Sequence, residues 1–161
     1  MGNAALQYFS KSNPAFVFVK PHESGKGISL EFSILPPDEA GVYIVYDCGR
    51  NGKKPPAPFY VGETRNLSQR LTMLFRCNSS QNPHPCQINF ATITRKKIAE
   101  IRYEDFCNRC KVRFVSTSGL LGRIEIEEAL QKEYGTNCDA FYKRYFDEEL
   151  KYIIPASKKF R

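Results

Sequence analysis

Two short runs, GVYIVY at 41–46 and FYVGETR at 59–65, each place a tyrosine two residues from a glycine, in a chain of 161 residues with only two histidines. The chain offers no obvious side-chain nucleophile and no glycine-rich phosphate loop, so neither covalent catalysis nor nucleotide binding of the P-loop kind explains the runs. Further on come an arginine at 70 and a glutamate at 127, each in a segment with helical spacing. A tyrosine can relay a proton, an arginine fork can neutralise phosphate oxygens, and a carboxylate can hold a hard divalent cation.

The elements that would position them can be read from pattern. AFVFV at 15–19 and GISLEFSIL at 27–35 are β-rich, the second alternating Ile28, Leu30, Phe32 and Ile34, and an amino-terminal β-hairpin is expected there. PPDEAG at 36–41 is a turn or linker leading into the strand GVYIVYD. The breakers in CGRNGKKPPAP turn the chain back into PFYVG, so the tyrosine runs are expected as neighbouring antiparallel strands. ETRNLSQRLTMLF is helical, with Leu67, Leu71 and Leu74 on one side and Asn66 placed to cap it. CNSSQNPHPCQINF at 77–90 reads as an irregular, proline-broken insertion, and a basic stretch leads to a third core strand, KVRFVST at 111–117. GRIEIEEALQKEYG at 122–135 is a helix stopped by Gly135, and a last amphipathic helix at about 139–152 precedes a basic tail. The fold class is α+β: a small central antiparallel or mixed sheet of about three strands flanked by helices, with the amino-terminal hairpin added.

With this length the chain has room for one domain, burying about 70% of the surface its unfolded form exposes. Hydrophobic content of 42% marks it as globular, and no apolar run approaches the roughly 20 residues that span a bilayer. MGNAALQYFSKSN lacks a secretory leader, and six cysteines without one are expected as reduced thiols, which together point to a cytoplasmic protein with no membrane partner. The net charge of +7 is uneven. Gly49 to Arg76 holds six basic residues against the single Glu63, and Ala91 to Arg113 holds seven against three, whereas Phe114 to Leu150 holds four basic and eight acidic. Basic segments around an acidic one suit a phosphate-backbone binder with an embedded cation site, the alternative being a merely basic surface.

Taken in order, Gly41-Val42-Tyr43, Tyr60-Val61-Gly62, Arg70 and Glu127 resemble the GIY-YIG nuclease family. YVGETRNLSQRLTMLFR is similar to the strand–helix segment of that family's bacterial excision-repair nucleases, with Tyr60 and Arg70 at the same ten-residue spacing. The resemblance covers roughly residues 40–137. It implies a metal-dependent endonuclease acting on DNA with Mg2+ or Mn2+ as cofactor. Glu127 would hold the metal, Arg70 would neutralise nonbridging oxygens, Tyr43 would receive or relay the proton of the attacking water, and Tyr60 would position water or phosphate. Gly62, Arg65 and Arg70 would contact phosphate, Gly62 because a residue without Cβ lets backbone approach closely. Gly41 is expected to permit the turn into its strand.

Helical projection tests the choice of residues. Arg70 falls at the border of the leucine stripe, and Glu127 lies within about 20° of Tyr134 at the edge of the face formed by Ile126, Ala129, Leu130 and Tyr134. Glu125 and Glu128 point off that face. Periodicity leaves Glu133 as a rival, and the resembled motif selects Glu127. The chain also departs from the family pattern. Glu63 stands where many members carry lysine, with Arg65 as the nearby charge; Leu74 stands where several carry His or Tyr; and Asn137 is the nearest candidate for a following asparagine. His84 is a candidate replacement acid–base group, set against an incidental loop histidine.

Cys107 and Cys110, with Cys77 and Cys86 or with His84, could form a four-ligand zinc site; buried free thiols are the default expectation. The expected organisation is a single nuclease domain over 1–161: an extension at 1–40, a catalytic core at 41–137 with an insertion at 77–110, and a helix and basic tail at 138–161. The extension, insertion and tail would contact DNA. A stand-alone nuclease that cuts both strands is expected to act as a homodimer, as the family's restriction enzymes suggest. The rival readings are a non-catalytic nucleic-acid-binding module of the same fold and a small zinc-stabilised interaction protein.

Overall fold

The computed structural model describes residues 2–77, 84–117 and 122–134. In chain order these form α1 (Gly2–Ser12), β1 (Val17–Ser24), β2 (Gly27–Phe32), β3 (Gly41–Asp47), β4 (Ala57–Thr64), α2 (Leu67–Arg76), α3 (Pro85–Thr94), a 3-10 turn (Ile98–Glu100), α4 (Tyr103–Arg109), β5 (Cys110–Ser116) and α5 (Arg123–Tyr134). The carboxy-terminal helix expected at about 139–152, the basic tail, Gly135 and Asn137 lie outside the described residues. Among the described residues no helix is long and apolar enough to cross a membrane.

The strands make one five-stranded sheet in the order β2-β1-β5-β3-β4, rather than about three strands with a separate hairpin. The hairpin joins because Val17 and Phe18 of β1 pair with Val112 and Lys111 of β5. Every neighbouring pair is antiparallel. β2 is shorter than its apolar alternation suggested: it stops at Phe32, and Ile34 and Leu35 lie beyond it, exposed.

β3 explains its own unbroken apolar run. Successive side chains of a strand point to opposite faces, and here both faces are covered. Val42, Ile44 and Tyr46 meet Phe9 of α1 and Ile126 and Leu130 of α5. Tyr43 and Val45 face the other way, into a cluster with Leu67, Leu71 and Leu74 of α2, Phe90 of α3 and Phe106 of α4. Gly41 serves this packing rather than a turn, because a Cβ there would lie 2.3 Å from the Val115 carbonyl oxygen and 2.5 Å from Leu67 Cδ1.

α2 begins where its sequence indicated. Asn66 is the N-cap, its side chain accepting from Gln69 N at 2.9 Å, while the Glu39 and Pro37 carbonyls take the Leu67 and Ser68 amides. An N-cap side chain of this kind contributes about 1 kcal/mol. Asn66→Ala is therefore expected to lower unfolding stability by about that amount, and a urea midpoint equal to wild type would contradict the cap's role.

The segment read as irregular is largely helix. His84 is the N-cap of α3 and Pro85 its first residue, a position where proline starts a helix instead of breaking one. Cys86 to Thr92 are all buried, so no 3.6-residue polarity pattern marks the helix. Buried Asn89 donates from Nδ2 to the Phe59 carbonyl of β4 at 2.9 Å, while its Oδ1 has no hydrogen-bond partner among the described residues. α3 and the short α4 thus cover the face of the sheet that carries Tyr43 and Tyr60.

Candidate active site

The spacing of the two runs has a simple cause in register. Tyr43 lies directly opposite Gly62 across the β3–β4 pair, and Val45 lies opposite Tyr60. The tyrosines are therefore diagonal neighbours on one face, with ring centroids 6.0 Å apart. The Tyr43 ring folds over Gly62. A Cβ at 62 would lie 2.4 Å from the Tyr43 hydroxyl oxygen, 2.5 Å from its Cζ and 2.8 Å from Tyr60 Cε2. The glycine makes room for the phenol, a different reason from close phosphate approach.

The Tyr43 side chain is fully buried, and its hydroxyl has no hydrogen-bond partner among the described residues. Arg70 is near enough to favour the ionised phenol, yet no hydrogen bond of good geometry joins them. Burial dominates and raises the Tyr43 pKa well above the usual phenol value. Tyr60 is raised likewise, first by burial and then by Tyr43. Both are neutral phenols at neutral pH.

Glu127 reaches the site around an edge. β4 is the last strand of the sheet, and α5 lies along it, with Gln131 Nε2 donating to the Val61 carbonyl at 3.2 Å and the Glu63 backbone donating to the Glu127 carboxylate. This covers polar groups that an open edge would leave unpaired. Glu127 is half-buried, and its pKa is raised to about 7, chiefly by burial and then by the negative charge of Glu63, with Arg70 acting in the opposite sense. Glu127 also acts electrostatically on both tyrosines. Tyr43, Tyr60, Arg70 and Glu127 thus come together from β3, β4, α2 and α5.

Glu63 is paired with Arg123, one turn before Glu127 on α5. A groove of about 640 Å³ runs beside the cluster, lined by Glu63, Arg65, Asn66, Gln69, Arg70 and Arg123 among others. Arg65 is exposed on this groove. Arg123 was not singled out by sequence; its i, i+4 relation to Glu127 is the signal that could have found it.

His84 lies against the same cluster. Its Nε2 is 2.9 Å from Arg70 Nη1, its Nδ1 is 3.0 Å from the Cys86 amide nitrogen, and its ring meets Tyr60 edge-on with centroids 5.3 Å apart. Burial, then the Arg70 charge, lowers its pKa to about 4. The groups facing it are Arg70 of α2, Tyr60 of β4 and Cys86 of α3. A histidine depressed in the folded state contributes stability that is complete above its ordinary value of 6.5 and is lost as pH falls through about 4. His84→Asn is accordingly expected to flatten the acid limb of a stability–pH profile between those values, and an unchanged limb would contradict this.

Cys77, Cys86, Cys107 and Cys110 do not come together with His84 as a zinc-ligand set. Among the described residues no group of three or more His, Cys, Asp or Glu is arranged to hold a metal ion. Cys77 and Cys107 donate to the Leu74 and Phe75 carbonyls, and burial pushes both thiols up to about 12. Burial raises Cys86 and Cys110 well above the ordinary value too, which keeps them neutral. They pack as apolar thiols in the α2–α3–α4 cluster.

No family model and no curated protein sequence matches the chain. Among solved structures it matches the GIY-YIG N-terminal endonuclease domain of UvrC from Thermotoga maritima in two point-mutant forms, each with one tyrosine replaced by phenylalanine and bound to the catalytic divalent cation. In both the identity is 22%, the TM-score is 0.37, and the match covers 63% of this chain and 83% of that one. This chain is similar to a GIY-YIG endonuclease domain. Around the candidate cluster, Glu63 is paired to Arg123, and the N-terminus of α3 supplies His84.

Proposed function

We propose that the chain is a divalent-cation-dependent endonuclease that hydrolyses DNA phosphodiester bonds with water as the nucleophile. The observation that carries this reading is the convergence of Tyr43, Tyr60, Arg70 and Glu127, with the Tyr43 hydroxyl fully buried beside Arg70 and without a hydrogen bond of good geometry among the described residues. An orphaned buried polar atom is costly unless something that binds there completes it. Glu127 also fits a hard cation: it is a carboxylate short of positive charge, raised by burial and by Glu63. Bound Mg2+ or Mn2+ would supply Lewis-acid stabilisation of the phosphate and leaving oxygens, with Glu127 as its protein ligand.

The chain's own residues do the rest. Arg70 neutralises nonbridging oxygens through its fork, and Arg65 contacts a neighbouring phosphate from the rim of the groove. Tyr43 orients the attacking water. Because burial keeps its phenol neutral, it can take the water's proton only while passing its own to a phosphate oxygen of the bound substrate. Tyr60 walls the water into place, and Gly62 leaves the Tyr43 ring free to sit over β4. The groove residues Arg65 and Arg123 suit a polyanionic backbone.

Short labelled duplex and single-stranded DNAs, incubated with Mg2+ or Mn2+ and with chelator, test the reading. Cation-dependent products are expected. Salt-sensitive binding with no product on any substrate would replace it with that of a binding module.

A further inference from the structure

His84 faces one more donor than it can serve. Arg70 Nη1 at 2.9 Å and the Cys86 amide at 3.0 Å both point at its ring nitrogens, and a neutral imidazole has a single acceptor lone pair. Both contacts are enforced by the fold. The ring is held at the N-cap of α3 by a capping box in which the His84 amide donates to Gln87 Oε1 at 3.2 Å, and it is wedged edge-on against Tyr60. Arg70 cannot supply a lone pair, because guanidinium only donates. Of the two donors the charged one makes the stronger bond.

We propose that His84 is the positioning residue of Arg70: its Nε2 accepts one arm of the guanidinium, fixing the fork so that its other N–H groups serve the side where Tyr43 and Tyr60 lie. The proton of the imidazole then sits on Nδ1, and the Cys86 amide is the donor left short. When Arg70 Nη1 turns to a phosphate oxygen, the imidazole proton can pass through solvent from Nδ1 to Nε2, leaving Nδ1 to accept from the Cys86 amide and complete the cap, so release of that arm of the arginine is partly compensated within the helix. A low histidine pKa suits the role, since protonation would turn the acceptor into a second donor.

The consequence for cleavage rests on the nuclease reading; the geometry does not. His84→Asn separates the two functions of the side chain, because asparagine is a good N-cap but is too short to reach Arg70. The variant is expected to unfold at nearly the wild-type temperature and to cleave DNA about 10- to 100-fold more slowly in kcat, with KM little changed. Cleavage at the wild-type rate would overturn the proposal. The second measurement is independent of activity: 15N NMR of the wild-type protein is expected to show His84 protonated on Nδ1, and Arg70 side-chain N–H signals that shift and exchange faster in His84→Asn. A His84 protonated on Nε2, or Arg70 signals unchanged by the substitution, would also overturn it. If the wild-type protein cleaves nothing, the nuclease reading fails alone, and the NMR result decides the positioning role.

Discussion

Replacing Glu127 by glutamine is expected to lower DNA cleavage by about 10³-fold or more while binding persists. Glutamine keeps the length and can still accept from the Glu63 backbone, so the fit of α5 along β4 is retained. What it removes is a carboxylate that acts on Tyr43, Tyr60 and Arg70 together. A 10³-fold loss corresponds to about 4 kcal/mol of transition-state stabilisation, the scale of losing a cation or a preorganised charge and far above a surface perturbation. Binding should hold or tighten, since a negative charge beside the groove is gone. Single-turnover rates and equilibrium binding at one salt concentration would check both halves. A variant that cleaves within about tenfold of wild type would leave Glu127 as one more acid on an acidic helix.

The second large effect is expected at Gly62. Gly62→Ala puts a methyl group where the Tyr43 ring and Tyr60 Cε2 already stand, with contacts of 2.4 to 2.8 Å. Neither ring can yield easily, because Tyr43 is fully buried between β4 and α2 and Tyr60 is braced by His84. Overpacking of this kind costs about 1–3 kcal/mol. Displacing the Tyr43 hydroxyl by about 1 Å is expected to cost about 10²-fold in rate beyond any loss of fold. Thermal unfolding and kcat measured on the same sample distinguish the two. Wild-type stability together with wild-type rate would mean that the ring does not occupy the space over Gly62.

These residues also show what could be read from sequence. Tyr43 and Tyr60 were legible because antiparallel register turns Gly-x-Tyr and Tyr-x-Gly into a diagonal pair, a local consequence of one short loop. For Glu127, periodicity left Glu133 as a rival, and the resembled motif made the choice; α2 was legible through Leu67, Leu71, Leu74 and the Asn66 cap. α3 was not: every residue from Cys86 to Thr92 is buried, so the polarity contrast that reveals a helix is absent, and His-Pro at its start reads as a breaker until the cap is seen. β1 and β2 were visible as a hairpin, but their docking depends on Val17 meeting Val112 of β5, a pairing that no local pattern encodes. Arg123 escaped notice for the same reason, and His84, noted only as a candidate acid–base group or zinc ligand, gave no sign of its contact with Arg70, since Glu63 and Arg70 are brought to them by tertiary structure.

The central claim is that the cluster of Tyr43, Tyr60, Arg70 and Glu127 hydrolyses DNA with a divalent cation. The most direct test is conversion of supercoiled plasmid by wild-type protein and by Glu127→Gln, each with Mn2+, with chelator, and with Mn2+ restored. The account predicts nicked or linear product from wild type only when Mn2+ is present, recovered on restoration, and none from the variant at equal DNA binding. Cleavage that survives chelation, or that is equal in Glu127→Gln, would contradict it.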